Sequence, residues 1–186
     1  MTVKTIIFDL GGVVVPENGN FIMNEFAAHL GVTRQRLDKV VKRAWPKATS
    51  GKMTLLNLCE RIVKKTNRKI TPEDAFAFYM REYKKTSFYR NHKILNLIEQ
   101  LKTKYNVVCL TNTETEIADF NKQNGLFDLF NKAYLSTELK TRKPKKKIYK
   151  IVLKDLKNKP DEVVFIDDNQ SYIDTANILG LNTILY

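Results

Sequence analysis

Residues 3–15 read VKTIIFDLGGVVV, and this stretch is the strongest structural signal in the chain. Its apolar and β-branched residues are typical of a buried strand. Asp9 and the glycines at 11 and 12 interrupt the apolar run. We therefore expect the strand to end near Asp9 and the glycines to turn the chain, because glycine tolerates the backbone angles of tight turns.

The apolar residues of the next segment, residues 16–88, recur at helical spacing without a strand pattern. Gly31 can stop the first helix, and Thr33 and Thr71 can cap the second and the fourth. Pro46 is expected to end the second helix. This segment predicts a bundle of about four helices directly after the first strand.

Helices and strands alternate over the rest of the chain. The predicted helices are 93–104, 115–123, 144–156 and 172–179, and the predicted strands are 107–111, 132–135, 162–167 and 182–186. Strands separated by helices form right-handed βαβ units and a parallel sheet. We predict an α/β fold: a three-layer, Rossmann-like parallel sheet core of residues 1–15 and 89–186, with a small all-helical cap of residues 16–88 inserted after the first strand.

The composition is that of a folded globular chain. Its 186 residues are 43% hydrophobic and 28% charged, which excludes a wholly disordered protein and suits one domain with an insertion. No apolar run approaches the roughly 18 residues of a membrane span, and Asp9 interrupts the region where a signal peptide would be apolar. Cys59 and Cys109 lie in apolar segments, so we expect buried thiols and a reducing, cytoplasmic location.

Polar residues stand where the predicted parallel strands end, and in such sheets these ends form the ligand site. Three carboxylates, a hydroxyl, an amide and an ammonium would meet there: Asp9, Thr111, Asn112, Lys143, Asp167 and Asp168. Carboxylates this close repel one another unless a cation joins them, and oxygen ligands suit Mg²⁺. A lysine and backbone N–H groups beside the metal suit a phosphate.

Four short motifs carry these residues in order: FDLGG at 8–12, LTNT at 110–113, RKP at 142–144 and FIDDN at 165–169. Each motif alone is weak, because polar residues at strand ends commonly cap turns and helices. Together, with the helical segment directly after the first motif, they make the whole chain resemble the haloacid-dehalogenase-like superfamily. The stretch YLSTELKTRKPKKKIY at 134–149 is similar to the phosphatase branch of subfamily I, which includes sugar-phosphate phosphatases.

This resemblance implies a nucleophile and a metal site. Asp9 would attack phosphorus and form an aspartyl-phosphate intermediate, which divides the hydrolysis into two steps. The Asp9 carboxylate, the backbone carbonyl of Gly11 and Asp168 would hold Mg²⁺, with Asp167 acting from outside the ligand set or through water.

The resemblance also implies the contacts to phosphate. The Thr111 hydroxyl and the Asn112 backbone N–H would bind phosphate oxygens, and Lys143 would neutralise charge on the phosphoryl group and on the nucleophile. These roles suit phosphoryl transfer, which needs alignment and charge neutralisation. Asp9, Thr111 and Lys143 are therefore the catalytic candidates.

One position departs from the family pattern. Most phosphatases of the superfamily have a second aspartate two residues after the nucleophile as general acid and base, and this chain has Gly11 there. General acid–base help is typically worth ~10²–10⁴ in rate. Glu17, at the mouth of the predicted cap, is our candidate for supplying the proton and contacting the substrate. Alternatively, an acidic leaving group needs less help, or the chain is a weak or inactive relative.

The expected function is a Mg²⁺-dependent phosphatase of a small phosphorylated metabolite, with sugar phosphates as one class. Two alternatives remain: a metal-free haloacid dehalogenase, and a weakly active or non-catalytic relative that binds polyanions. The adjacent acids Asp167 and Asp168 favour a metal over the dehalogenase. The polar segments 17–20 and 50–52 are expected to face the substrate. We expect a monomer or a homodimer and no membrane partner.

The net charge of +12 is compatible with a polyanion partner and equally with a lysine-rich protein kept in solution by self-repulsion. Residues 140–159 hold ten basic residues and one acidic residue, and residues 16–88 hold fifteen and seven. This surplus can surround the mouth of a phosphate site and attract anionic substrates. Specific nucleic-acid binding is therefore not expected.

Overall fold

The computed structural model describes residues 2–16, 18–66 and 69–186. Five parallel strands form one sheet in the order β3-β2-β1-β4-β5. The strands are β1 (Thr5–Phe8), β2 (Asn106–Thr111), β3 (Lys132–Leu135), β4 (Val163–Asp167) and β5 (Asn182–Leu185). The predicted α/β fold with a parallel sheet is confirmed, and the first strand of the chain lies at the centre of the sheet.

Eight α-helices lie in the described residues: α1 (Gly19–His29), α2 (Arg34–Ala48), α3 (Leu55–Thr66), α4 (Pro72–Thr86), α5 (His92–Lys102), α6 (Thr115–Gln123), α7 (Lys146–Leu156) and α8 (Gln170–Ile178). The first four helices follow one another between β1 and α5. None of the helices in the described ranges is long and apolar enough to cross a membrane.

The two faces of the sheet pack against different helices, which gives three layers. Successive side chains of a strand point to opposite faces. Ile7 of β1 packs in a cluster with buried residues of α7 and α8, such as Val152 and Ile173. The next residue, Phe8, packs in a cluster with Ile98 of α5 on the other face.

The helices α1 to α4 bury their own apolar cluster, which also includes Ile117 of α6. Polar contacts tie these helices to the rest of the chain. Glu116 Oε1 accepts a hydrogen bond from Leu55 N at the start of α3, at 2.9 Å. The Ser136 hydroxyl donates to the carbonyl oxygen of Thr49 and accepts from Thr113 N. The division into a core and a cap at residues 15/16 and 88/89 stays a prediction.

The predicted end of the second helix is wrong, because α2 passes through Pro46 and ends at Ala48. A proline inside a helix loses one backbone hydrogen bond. Here the last turn is held by other contacts: Ala48 is fully buried in the cluster of α1 to α4, and the Ser50 hydroxyl donates to the Pro46 carbonyl at 2.7 Å. The two predicted caps are confirmed, since the Thr33 and Thr71 hydroxyls accept backbone N–H bonds at the starts of α2 and α4.

Truncation of Leu58 tests the packing of the α1 to α4 cluster. Leu58 is 0% exposed, and on the same helix Leu56 is 37% exposed. We expect Leu58→Ala to lower the free energy of unfolding by about 3–5 kcal/mol and Leu56→Ala by less than about 1 kcal/mol. Urea unfolding measures both, and equal losses would contradict a packed core in these helices.

Candidate active site

A cavity of about 460 Å³ lies at the carboxyl ends of the central strands. Asp9 follows β1, Thr111 ends β2 and Asp168 follows β4, and all three line it. The facing wall comes from α1, α2 and α4 and includes Ile22, Trp45, Tyr79 and Tyr83. The cavity therefore has a polar floor made by the sheet and a partly aromatic wall made by the helices between β1 and α5.

The strand register brings two of the three carboxylates together. Phe8 is paired with Ile166, so the residues that follow them, Asp9 and Asp167, lie side by side. Asp9 N donates to the Ile166 carbonyl at 2.8 Å, and Leu10 N donates to Asp9 Oδ1 at 2.7 Å. These bonds fix the Asp9 side chain at the end of the central strand.

Lys143 joins the two carboxylates. Its Nζ lies 2.8 Å from Asp9 Oδ1 and 2.6 Å from Asp167 Oδ2. The rings of Phe165 and Tyr172 lie beside the ammonium group, with centroids at 5.5 and 5.1 Å. Burial disfavours the charged amine, but the charges of Asp9 and Asp167 outweigh it and raise the pKa of Lys143. Lys143 is therefore a cation held inside the protein.

The carboxylates of Asp9, Asp167 and Asp168 form a cluster whose ligand oxygens lie within 4.8 Å of one another. Burial and then the charge of Asp9 raise the pKa of Asp168. The same two causes raise the pKa of Asp167 to about 7, against the opposing effect of Lys143. An added divalent cation would relieve this repulsion, and an all-oxygen donor set suits Mg²⁺. The residues present thus fit the predicted metal.

The turn after β1 requires glycine at position 12. Gly12 has φ of +78°, and a Cβ there would lie 2.0 Å from Asp168 Oδ2. The turn is closed by a hydrogen bond from Gly12 N to the Val15 carbonyl at 2.8 Å. The second glycine of the FDLGG motif therefore leaves space for the Asp168 carboxylate.

Asn112 holds the segment that carries Lys143. Its Oδ1 accepts from Lys143 N at 2.9 Å, and its Nδ2 donates to the Lys143 carbonyl at 3.0 Å. The same Nδ2 lies 3.2 Å from the hydroxyl of Tyr172. The sequence analysis assigned a role to the backbone N–H of Asn112, and the structure adds this contact of its side chain. No sequence spacing indicates it, because the two residues are 31 positions apart.

The structure places most of the predicted site residues around one cavity. The lining includes Asp9, Gly11, Thr111, Asn112 and Asp168, while Lys143 and Asp167 lie beneath it and are fully buried. Glu17 lies outside the described residues. The roles given to these residues remain predictions.

The prediction that segment 50–52 faces the substrate is not supported, because Ser50, Gly51 and Lys52 do not line the cavity. Gly51 instead lies against the loop after β3. A Cβ on Gly51 would be 2.4 Å from the Thr137 carbonyl oxygen, and Lys140 Nζ donates to the Gly51 carbonyl at 3.3 Å. This segment packs against the loop that follows β3.

Sequence reasoning missed Glu114, a buried carboxyl group that lines the cavity directly before α6. Burial and the charge of Glu116 raise its pKa to about 7, while its own backbone N–H and Arg142 act in the opposite direction. Arg142 and Tyr172, which also line the cavity, were likewise missed as site residues. The position of Glu114 beside the LTNT motif was the one signal that could have marked it.

Removing the buried cation tests the electrostatics of the site. Lys143→Met leaves Asp9 and Asp167 buried without their counter-charge, and breaking a buried ion pair in this way costs about 3–5 kcal/mol. The control, Lys147→Met on the exposed face of α7, is expected to change stability by less than about 0.5 kcal/mol. Urea unfolding with EDTA at pH 8 gives the comparison. Addition of Asp167→Asn to Lys143→Met should recover part of the loss, and a loss no larger than the control's would contradict the pairing.

Comparison with known proteins places the chain in a family. The family model of haloacid dehalogenase-like hydrolases matches residues 3–180. A D-ribitol-5-phosphate phosphatase of Bacteroides thetaiotaomicron is 26% identical over 190 aligned residues, which cover 97% of this chain and 90% of that protein.

Two solved structures of a haloacid dehalogenase (HAD) family enzyme from the same organism share the fold. Its magnesium complex is 24% identical, with a TM-score of 0.82 over 100% of this chain and 94% of that one. Its complex with magnesium and inorganic phosphate is 23% identical, with a TM-score of 0.75 over 98% and 93% of the two chains. The fold and the match over residues 3–180 together show that this chain belongs to the haloacid dehalogenase-like hydrolases.

Proposed function

We propose that this hydrolase is a Mg²⁺-dependent phosphatase of a small phosphorylated metabolite, of the sugar or sugar-alcohol phosphate class. The observation that carries the proposal is the position of Lys143 between Asp9 and Asp167, beside Asp168 at the cavity floor. The D-ribitol-5-phosphate phosphatase and the HAD family enzyme complexed with magnesium and phosphate support it.

Asp9 is the nucleophile in this proposal. One of its oxygens attacks phosphorus, the bond from phosphorus to the leaving oxygen breaks, and water then hydrolyses the aspartyl phosphate to inorganic phosphate and free Asp9. Lys143 Nζ and Leu10 N both donate to Asp9 Oδ1, at 2.8 and 2.7 Å. These two donors hold the carboxylate in one orientation, which is what an in-line attack requires.

The residues at the ends of β2 and β4 hold the phosphoryl group and the metal. The Thr111 hydroxyl and the Asn112 backbone N–H bind phosphate oxygens. Asp9, the Gly11 carbonyl and Asp168 would hold Mg²⁺, which when bound neutralises negative charge on the phosphate.

Asp167 acts through Lys143 and not as a direct ligand in this proposal. Its Oδ2 pairs with Lys143 Nζ at 2.6 Å, and its Oδ1 accepts from Asn169 N at 2.9 Å. Both oxygens are thus engaged within the protein, and Asp167 positions the lysine.

Protonation of the leaving oxygen is the step for which Gly11 provides no side chain. Glu17 remains the sequence-based candidate, although it lies outside the described residues. Its neighbour Asn18 lines the cavity, which supports the assignment. The alternative is a leaving group acidic enough to depart with less help, and the rates on different phosphate esters distinguish the two.

The helical segment 16–88 is proposed to act as the cap that selects the substrate. Ten of the described residues that line the cavity come from this segment: Pro16, Asn18, Gly19, Ile22, Trp45, Thr49, Tyr79, Tyr83, Thr86 and Ser87. Aromatic and polar side chains together suit the mixed surface of a polyhydroxylated ligand.

We also propose a cytoplasmic location and a monomer or a homodimer. The two cysteines support the location, because both are free and buried. Burial raises the pKa of the Cys59 thiol to about 12, so this thiol stays protonated and unreactive at neutral pH.

The main test is phosphate release from a panel of phosphorylated metabolites, with and without Mg²⁺. We expect Asp9→Asn to lower the rate by about 10³-fold or more, because it removes the nucleophile. Asp174→Asn, on the exposed face of α8, is the control and should retain the rate.

Three results would overturn the proposal. One is the absence of Mg²⁺-dependent phosphate release by the wild-type chain across the panel. Another is hydrolysis of chloroacetate in EDTA, which would indicate a dehalogenase. The third is nucleic-acid binding with a steep salt dependence in a chain without hydrolytic activity.

A pair of glycine-to-alanine substitutions tests the metal site separately. Both glycines have positive φ, Gly12 at +78° and Gly180 at +85°. Alanine at either position strains the backbone by about 1–2 kcal/mol. Only at Gly12 would the new Cβ displace Asp168; at Gly180 it would lie 3.5 Å from Pro160 Cβ. Titration calorimetry should therefore show Mg²⁺ affinity about tenfold weaker or more for Gly12→Ala alone. Equal affinities in the two variants would refute Asp168 as a ligand.

A further inference from the structure

Arg142 lines the cavity near the residues that are proposed to bind the phosphoryl group. Arg142 precedes Lys143, and its Nη2 lies 3.4 Å from the Tyr172 hydroxyl. That hydroxyl also contacts Asn112 Nδ2, and the Tyr172 ring lies beside Lys143 Nζ. Arg142 is therefore part of the group of residues around the proposed phosphoryl site.

Glu114 also lines the cavity, and the charges of both Arg142 and Glu116 act on it. Tyr83 of α4 lines the same cavity as Glu114. Burial raises the pKa of Tyr83, and the negative charge of Glu114 adds to the rise. The Tyr83 hydroxyl and the Asn121 side chain exchange hydrogen bonds at 2.8 and 3.1 Å, and both residues line the cavity. Glu114 thus stands with an amide and a phenol where the sheet meets the helical segment.

Two common roles of a buried carboxyl group, capping a helix and binding a metal in a carboxylate cluster, do not account for Glu114. The residue precedes α6, but its side chain makes no capping hydrogen bond to that helix. Of the carboxyl groups on the described residues that line the cavity, Asp9 and Asp168 belong to the carboxylate cluster and Glu114 does not. A buried carboxyl in a cavity without such a role is suited to contact a ligand.

We propose that Glu114 is a specificity-determining residue that selects an uncharged, polyhydroxylated leaving group. Its carboxyl group hydrogen-bonds a hydroxyl of that group, and its negative charge disfavours substrates that carry a second anionic group there, because like charges that face each other are repelled. This inference rests on the proposed phosphatase function. It adds that the leaving group of the substrate is uncharged.

The selection should depend on pH. The charged or titratable groups that act on Glu114 or respond to it are Glu116 on α6, Arg142 before α7 and Tyr83 on α4. Burial holds the pKa of Glu114 near neutrality, at about 7. Glu114 is therefore negative above pH 7 and neutral below it, and the discrimination against anionic leaving groups should grow as the pH rises through 7.

Matched substrates that differ only in one charged group provide the test. D-Ribitol 5-phosphate and D-ribonate 5-phosphate differ by CH₂OH against carboxylate, as do glycerol 3-phosphate and 3-phosphoglycerate. The measured quantity is the ratio of kcat/KM for the neutral member to kcat/KM for the acid, at pH 8. A ratio measured on one sample does not depend on the fraction of folded enzyme, so partial misfolding of a variant does not affect it.

We expect the wild type to prefer the neutral member by about tenfold or more, and Glu114→Gln to reduce the preference to about threefold or less. The smaller preference of Glu114→Gln should come from a lower KM for the acid than in the wild type. In the wild type the ratio should rise from pH 6 to pH 8, and in Glu114→Gln it should stay flat. Glu116→Gln is the matched control for the ratio at pH 8: the same change two positions on, outside the cavity lining, with an oxygen that can still accept from Leu55 N. It is not compared in the pH series, because the charge of Glu116 raises the pKa of Glu114.

The outcomes separate this inference from the proposed function. A wild type that prefers the acid, or a ratio in Glu114→Gln within twofold of the wild type's, overturns the role of Glu114 and leaves the phosphatase intact. No phosphate release from any compound overturns the phosphatase and this inference with it. Should Glu114→Gln turn over too slowly, dissociation constants of each pair on Asp9→Asn with and without Glu114→Gln give the same ratio.

Discussion

An ammonium group removed from water must be paired with negative charge, because an isolated buried cation is very costly. Lys143 is 0% exposed and meets this condition through Asp9 and Asp167. The two carboxylates are adjacent because β1 and β4 are adjacent in the sheet and in register. The parallel sheet and the two hydrogen bonds between the Asn112 side chain and the backbone of Lys143 make this arrangement possible.

The site is locally acidic in a chain that is strongly basic. Three carboxylates surround one buried ammonium group, so the cluster has a surplus of negative charge that a divalent cation can balance. The chain as a whole has a net charge of +12, and most of the surplus falls in segments 16–88 and 140–159. Under the proposed function, the net positive charge would attract an anionic substrate at long range, and a bound divalent cation would offset the repulsion between its phosphate and the carboxylates.

The order of strands and helices and the gathering of polar residues at the strand ends could be predicted from sequence, because periodicity and motifs are local properties. Contacts between distant segments could not. The burial of Ala48 keeps α2 helical beyond Pro46, and Gly51 packs against Thr137 and does not line the cavity. Glu114 was missed because neither its burial nor its place in the cavity lining is a local property of the sequence.

The Ser136 hydroxyl links the end of α2 to the loop that follows β2. It bonds the carbonyl of Thr49, at the end of α2, and accepts from Thr113 N, in the loop that follows β2. A motion that moved α2 away from the sheet would break the hydrogen bond from the Ser136 hydroxyl to the Thr49 carbonyl. The hydroxyl that accepts from Thr113 N would then lose this acceptor. A displacement of α2 would therefore also change the hydrogen bonding of the loop beside Asn112.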